Sequence, residues 1–179
     1  VRRTGKPVIA FATGYDDDNY QLAAHASEVW LDPMGAVAIA GPGGANLYYA
    51  GLLERAGITA NVYRVGSFKS AVEPFTRSDM SPEARAANQA LADSLWQSWL
   101  DNVRAARPRA AVAEFASKPA EAIQGAGSLA QAALRARLVD RIGDRQAFGQ
   151  RVREIAGTDE EAVPGSFRAV DMHAWMDEE

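Results

Sequence analysis

The run Val8-Ile9-Ala10-Phe11-Ala12 is short, continuous and apolar, and after Thr13-Gly14 it gives way to a helical pattern. Repeated down the chain, that alternation restricts the fold more than any other feature. Each short run suits a strand buried in a sheet, and each helical stretch suits a cover laid over it. A helix is expected over 19–27, a strand over 28–31, a turn at Pro33-Met34-Gly35 and a second strand over 36–40 that ends in the loop Gly41-Pro42-Gly43-Gly44. A helix over 46–56 stops at Gly57, a residue free to take the left-handed conformation that closes a helix. A strand over 60–65 comes next.

Ser81-Pro82-Glu83 is a helix start with three physical reasons behind it: serine caps, proline suits the first turn, and glutamate complements the helix dipole. That helix is expected to reach about Ala106. Leu91, Leu95, Trp99 and Val103 recur along it at helical spacing and mark a buried stripe, which Trp96 and Leu100 widen. The stripe reads first as ordinary core, and it would also suit a neighbouring subunit or domain. Beyond it lie a connection over 107–113, a helix near Glu114, and helical pieces over 119–124 and 128–137. Leu138-Val139-Asp140 reads as a short strand leading to Gly143, 144–156 as a helix and 166–172 as a last strand-like stretch.

At 179 residues the chain is long enough for one domain with a substantial core. A net charge of −4, with arginines scattered among acids, provides no basic footprint for nucleic acid. Without cysteine there are neither disulfides nor thiolate metal sites. No apolar run approaches the length of a membrane span. The chain opens Val1-Arg2-Arg3 without methionine and closes at Asp177-Glu178-Glu179 with no evident final element, so it is expected to be a piece of a longer protein.

The chemistry concentrates in Gly66-Ser67-Phe68-Lys69-Ser70-Ala71-Val72-Glu73-Pro74-Phe75. A lysine between an aromatic and a serine, just after a strand-like run, is a candidate for an amine held out of water. Such a lysine works as a general base near neutrality only where the ammonium form is disfavoured, a differential of about 4 kcal/mol. The alternative is a solvated charge at the start of a helical segment. Two readings also stand for Gly41, Gly43 and Gly44: a substrate or oxyanion loop, where glycine lets a ligand approach the backbone, or a plain sharp turn. The loop lacks the ending of a phosphate-binding loop. Asp16-Asp17-Asp18 lacks the alternating ligands and glycine of a calcium loop and reads as a solvated acidic turn. His25 and His173 fall in no metal or triad pattern, and His25 reads as structural. No metal and no cofactor are expected.

Other stretches join the lysine motif: Gly5-Lys6-Pro7-Val8, Tyr20-Gln21-Leu22-Ala23, Val29-Trp30-Leu31-Asp32-Pro33, Leu47-Tyr48-Tyr49 with Leu52-Leu53, Asp79-Met80-Ser81-Pro82-Glu83-Ala84-Arg85, and Leu138-Val139-Asp140. In this order, from about Gly5 to Trp175, they resemble the long-form signal peptide peptidase A, or protease IV, family. The most specific piece is Phe68-Lys69-Ser70-Ala71-Val72-Glu73-Pro74-Phe75. The resemblance implies an α/β chain with the crotonase- and Clp-protease-like fold of repeated ββα units, a mixed sheet flanked by helices. Residues 1–179 are then a single domain, a fragment of the N-terminal, lysine-bearing half. It also implies a parent protein anchored in the bacterial inner membrane, with its catalytic part on the periplasmic side and assembled as a homo-oligomer.

In that family a serine–lysine dyad cuts peptides left from cleaved signal sequences. By resemblance Lys69 is the general base: it takes the proton of the serine hydroxyl as that oxygen attacks a peptide carbonyl, and then protonates the leaving amine. Ser70 either orients the lysine or caps a helix. A carboxylate touching the lysine would favour its charged form, so Glu73 is expected to point elsewhere, as a structural hydrogen-bond partner in the same turn. Single-half members place their serine between the first strand and its helix, where this chain has Thr13-Gly14-Tyr15-Asp16-Asp17-Asp18-Asn19-Tyr20. The nucleophile is therefore expected from the C-terminal half of the same protein, and the fragment alone should be inert. Two alternatives remain: a scaffold half that builds the oligomer without chemistry, and an acyl-CoA enzyme of the crotonase type.

Overall fold

Two parallel strands, β1 (Ile9–Tyr15) and β2 (Glu28–Val37), form the centre of the sheet, joined by the short helix α1 (Asp17–Ala23). The computed structural model describes residues 4–63, 70–159 and 166–177. The chain divides into two units: one of Val1–Ile39 with Asn102–Glu179, the other of Ala40–Asp101.

In the first unit β2 also pairs in parallel with β3 (Arg141–Ile142), giving the order β1-β2-β3 among the described residues. α1 begins earlier than expected because the Asp16 carboxylate accepts from Asn19 N at 2.9 Å, a cap. It also ends earlier, since Ser27 already belongs to the sheet margin: Ser27 N donates to Val8 O at 2.6 Å and Ser27 Oγ accepts from Val8 N at 3.1 Å. The turn and separate strand expected around Pro33 are corrected to one interrupted strand. Ala12 pairs with Leu31 and Gly14 with Ala36, so 32–35 bulge out opposite Thr13 alone. Asp32 Oδ1 accepts from Met34 N at 2.9 Å to form the bulge. Gly35 closes it against backbone: a Cβ there would lie 2.3 Å from Thr13 O.

The covering helices of this unit are α5 (Val112–Ser117), α6 (Pro119–Ala126), α7 (Leu129–Arg135) and α8 (Arg145–Ala156). Ser128 and Asp144 cap α7 and α8 through Gln131 N and Ala147 N. Val29, Leu31, Tyr20, Leu138 and Val139 are fully or almost fully buried. The strand expected at Leu138-Val139-Asp140 is found immediately after it, as β3 at Arg141–Ile142. Asp140 approaches β2 with both backbone and side chain, its N donating to Val29 O and its Oδ2 accepting from Val29 N, each at 2.8 Å. Its other oxygen pairs with Arg107.

Two tyrosine hydroxyls close the core: Tyr15 donates to Trp30 O at 3.0 Å and Tyr20 to Leu138 O at 2.8 Å. Burial pushes the Tyr15 hydroxyl up to about 12 and Tyr20 still higher, in each case against the nearby Arg107. Glu28 receives the Arg151 guanidinium at 2.5 Å, which holds its carboxyl below the ordinary range. The last expected strand is also corrected. Only Phe167 makes a bridge, to Thr158, and Met172–Asp177 is helical (α9), capped by Asp171 Oδ1 accepting from His173 N at 2.9 Å.

The second unit has a different build. α2 (Ala50–Arg55) is shorter than the expected 46–56; Tyr49 offers no side-chain cap, and its N donates to Pro74 O at 2.6 Å. Gly57, at φ +68°, ends it as expected. Residues 60–63 form no strand, and 64 and 65 lie outside the described residues. A 3-10 turn (Ser70–Val72) leads into α3 (Glu73–Thr76), and α4 (Pro82–Ala106) comes next. The stripe expected along α4 is only half buried: Trp99 and Leu100 are covered, as is Val103 in the last turns of α4 that belong to the first unit, whereas Leu91 and Leu95 are exposed.

Candidate active site

Lys69 itself lies outside the described residues, whereas the segment beginning at Ser70 lies within them. Ser70 is exposed at the start of the 3-10 turn, and Val72 passes directly into α3. α3 has four residues, too few to hold itself by backbone hydrogen bonds alone. Its first residue supplies the anchor. Glu73 is only 3% exposed, and its carboxylate meets the N-terminus of α4. Ser81 N donates to Oε2 at 3.0 Å and Ser81 Oγ to Oε1 at 2.5 Å. Ser81 Oγ in turn accepts from Ala84 N at 3.2 Å, the cap expected of it.

The arrangement resembles a capping box in which the returning carboxylate comes from upstream of the helix instead of from its first turn. A buried carboxylate is costly to desolvate. Two hydrogen bonds to a full charge and the positive end of a 25-residue helix offset that cost. Glu73 has a structural hydrogen-bond role, but toward Ser81 at the start of α4 and not within its own turn as expected. A second tie comes from the other side: Pro74 O accepts from Tyr49 N, and the Tyr49 and Phe75 rings stack at 6.1 Å.

The glycine loop belongs to the same unit. Gly41 takes φ +73°, so its backbone requires glycine, and a Cβ there would only touch the Trp96 ring at 3.5 Å. Gly43 and Gly44 are open: a Cβ added at either would meet no atom within 4 Å. Together with Asn46, Met80 and Arg85, and with Asn88, Leu91 and Leu95 of α4, they line a cavity of ≈ 540 Å³. The loop thus combines a turn that needs glycine at Gly41 with an open apolar–polar wall at Gly43 and Gly44. In the first unit, the acidic turn after β1 is a helix cap, with Asp16 holding α1 and Asp17 and Asp18 in its first turn. His25 is exposed just beyond α1. Among the described residues no group of acids and histidines is arranged to hold a metal.

The Glu73–Ser81 pair is not evident from sequence. Ser81 reads as a cap, but a carboxylate preceding it lies outside the local spacing of a capping box, and no local pattern links the two.

Residues 1–159 match the description peptidase family S49. The chain belongs to peptidase family S49. The S49 architecture is crotonase- and Clp-protease-like, and the parallel sheet flanked by helices agrees with the α/β class expected. Among relatives, "Protease 4" of Salmonella typhi is 45% identical over 106 residues, 59% of this chain and 17% of that protein. "Protease 4" of Haemophilus influenzae is 43% identical over 99 residues, 55% of this chain and 16% of that protein. The chloroplastic "Serine protease SPPA" of Arabidopsis thaliana is 26% identical over 102 residues, 57% of this chain and 15% of that protein. This S49 chain therefore matches only a short part of each relative.

Proposed function

We propose that this chain is the lysine-bearing part of a serine peptidase that degrades cleaved signal peptides, with Lys69 as the general base of a serine–lysine dyad. The observation that carries the reading is the S49 match over residues 1–159, which contains the lysine motif, together with relatives named as proteases. The nucleophilic serine comes from the C-terminal half of the longer protein, because Thr13–Tyr20 offers acids and a helix cap where single-half members carry their serine. Lys69 deprotonates that serine as it attacks the peptide carbonyl, then protonates the departing amine. Ser70 orients the amine, and the Gly41, Gly43 and Gly44 loop borders the substrate or the oxyanion. The parent protein works at the bacterial inner membrane, on the periplasmic side, as a homo-oligomer acting on signal-peptide remnants. Among the described residues no helix is long and apolar enough to cross a membrane.

Peptide hydrolysis by the full-length parent, native beside Lys69→Met, with this chain as a third sample, tests the reading. Loss of about 10²–10⁴-fold in a folded Lys69→Met protein, with the chain alone silent, is the expected result. An unchanged rate removes Lys69 from the chemistry. A scaffold reading then takes its place, favoured by the exposed Leu91 and Leu95 on α4.

A further inference from the structure

We propose that the cleft between residues 42–46 and the first half of α4 binds an extended apolar peptide ending in a free carboxylate. Arg85 takes the carboxylate, and Leu91 and Leu95 take apolar side chains. The proposal deepens the peptidase reading and rests on it only in making the ligand a peptide. The cleft itself is built from described residues of the second unit. One wall is backbone. Residues 43–48 belong to no helix or strand, and among the described residues their backbone N–H and C=O groups have no hydrogen-bond partner. At Gly43 and Gly44 that wall carries no side chain and has open space around it.

The facing wall is α4 with Met80 before it. Met80, Leu91 and Leu95 make this wall apolar, and the two leucines are 60% and 53% exposed, so the surface is uncovered. Arg85 carries the one charge among the lining residues, and no carboxylate of the described residues pairs with it. A run of unpaired backbone beside an apolar surface is an arrangement that takes up an extended chain. Main-chain bonds supply affinity there, and pockets for alternate side chains supply selectivity. The lone guanidinium sets the direction, because a carboxylate is the anion that every free peptide carries at one end, and its two oxygens match the guanidinium fork. Arg85 and Leu95 lie about 15 Å apart along the helix axis, the length of about four or five extended residues. A peptide cut from a longer chain presents a new carboxylate at that point, whereas the uncut chain continues through it. The cleft thereby separates cleavage products from their precursors.

The test uses the full-length parent and a fluorescein-labelled hexapeptide of alternating leucine and alanine, made as the free acid and as the C-terminal amide. Binding is read as fluorescence anisotropy extrapolated to the time of mixing, so that turnover does not enter. The native protein is expected to bind the acid about three- to tenfold more tightly than the amide. Arg85→Gln should lose that difference and bind both forms as the native protein binds the amide. Leu95→Ala should weaken both forms by about tenfold and keep the preference for the acid. Both side chains are exposed, so neither substitution disturbs folding. Native-like binding of both peptides by both variants overturns the proposal, and so does equal binding of acid and amide by the native protein. Binding of neither peptide also overturns it, the result expected if another part of the parent or a second copy fills the cleft. Lys69→Met, assayed for hydrolysis in parallel, keeps the two ideas apart. An active Lys69→Met removes the base and leaves the binding result standing, whereas an inactive one beside binding that ignores Arg85 and Leu95 removes the cleft alone.

Discussion

The two units reach order by different means. The first is organised by apolar burial on a sheet: Tyr20, Val29, Leu31, Leu138 and Val139 are buried on or around β2, and even its hydroxyls are spent on core carbonyls. In the second, the described buried residues are Glu73, Ser81, Ala84, Trp99 and Leu100, while Leu47, Leu52, Ile58, Tyr63 and Phe75 face outward. There a buried polar pair stands among the described buried residues. The residues proposed for function belong to this second unit, where the Glu73–Ser81 contact stands beside the buried Ala84, Trp99 and Leu100.

The largest expected effect on stability tests the first half of that contrast. Leu31→Ala, in the middle of β2, should lower the unfolding free energy by about 2–5 kcal/mol in urea titrations, because the strand and its neighbours cannot collapse onto the space left behind. A cost below about 1 kcal/mol would mean that the sheet is not where the stability lies.

A smaller effect sharpens it through pH. Tyr15 and Tyr20 ionise near 10 when exposed, and burial raises Tyr15 to about 12 and Tyr20 further. A group whose folded value is raised contributes stability fully below its unfolded value and loses it as pH climbs through the folded one. Stability should therefore hold up to about pH 10 and then fall steeply toward pH 12. Tyr20→Phe should cost about 1 kcal/mol at neutral pH through the lost bond to Leu138 O, and remove roughly half of the alkaline slope. Stability curves for the two proteins that run parallel above pH 10 would show that the hydroxyls are not held in the core.

How much of this is legible in sequence depends on whether the cause is local. Ser81 as a cap, Gly57 as a helix end and the helix after Asp144 all rest on chemistry within a few residues, and the structure has them as expected. The α/β class is legible because alternating short runs leave few other ways to bury them. β2 reads as two strands because Pro33-Met34-Gly35 is a turn locally; only the pairing with β1 makes it a bulge in one strand. The Leu138 strand is displaced for a similar reason: Asp140 uses its side chain on β2, a choice that depends on where β2 lies. Of the site, the lysine motif is legible as a motif. The tie between Glu73 and Ser81 is not, because two residues of opposite hydrogen-bonding capacity at that separation imply nothing until α3 folds back onto α4.

The smallest expected effect bears on α4, where one four-residue spacing has two outcomes. Val103 is completely buried, yet Leu91 and Leu95, on the same periodic stripe, are 60% and 53% exposed. Each four-residue step turns the helix by about 40°, so from Leu91 to Val103 the stripe winds about 120° round α4 and its two ends face different ways. The first half of the stripe simply has no cover among the described residues. Leu91→Ser in the 179-residue chain should therefore shift the unfolding free energy by less than about 0.5 kcal/mol. In the longer parent the same substitution separates the readings of this face. A scaffold surface packed against another subunit or the C-terminal half would lose about 1.5–3 kcal/mol on losing a buried leucine, with a matching change in sedimentation. If parent and chain respond alike, below about 0.5 kcal/mol, the face is solvated in both and the scaffold reading loses its support. If the chain alone already loses about 2 kcal/mol, the second unit has an apolar core at α4 after all, and the contrast between the two units gives way.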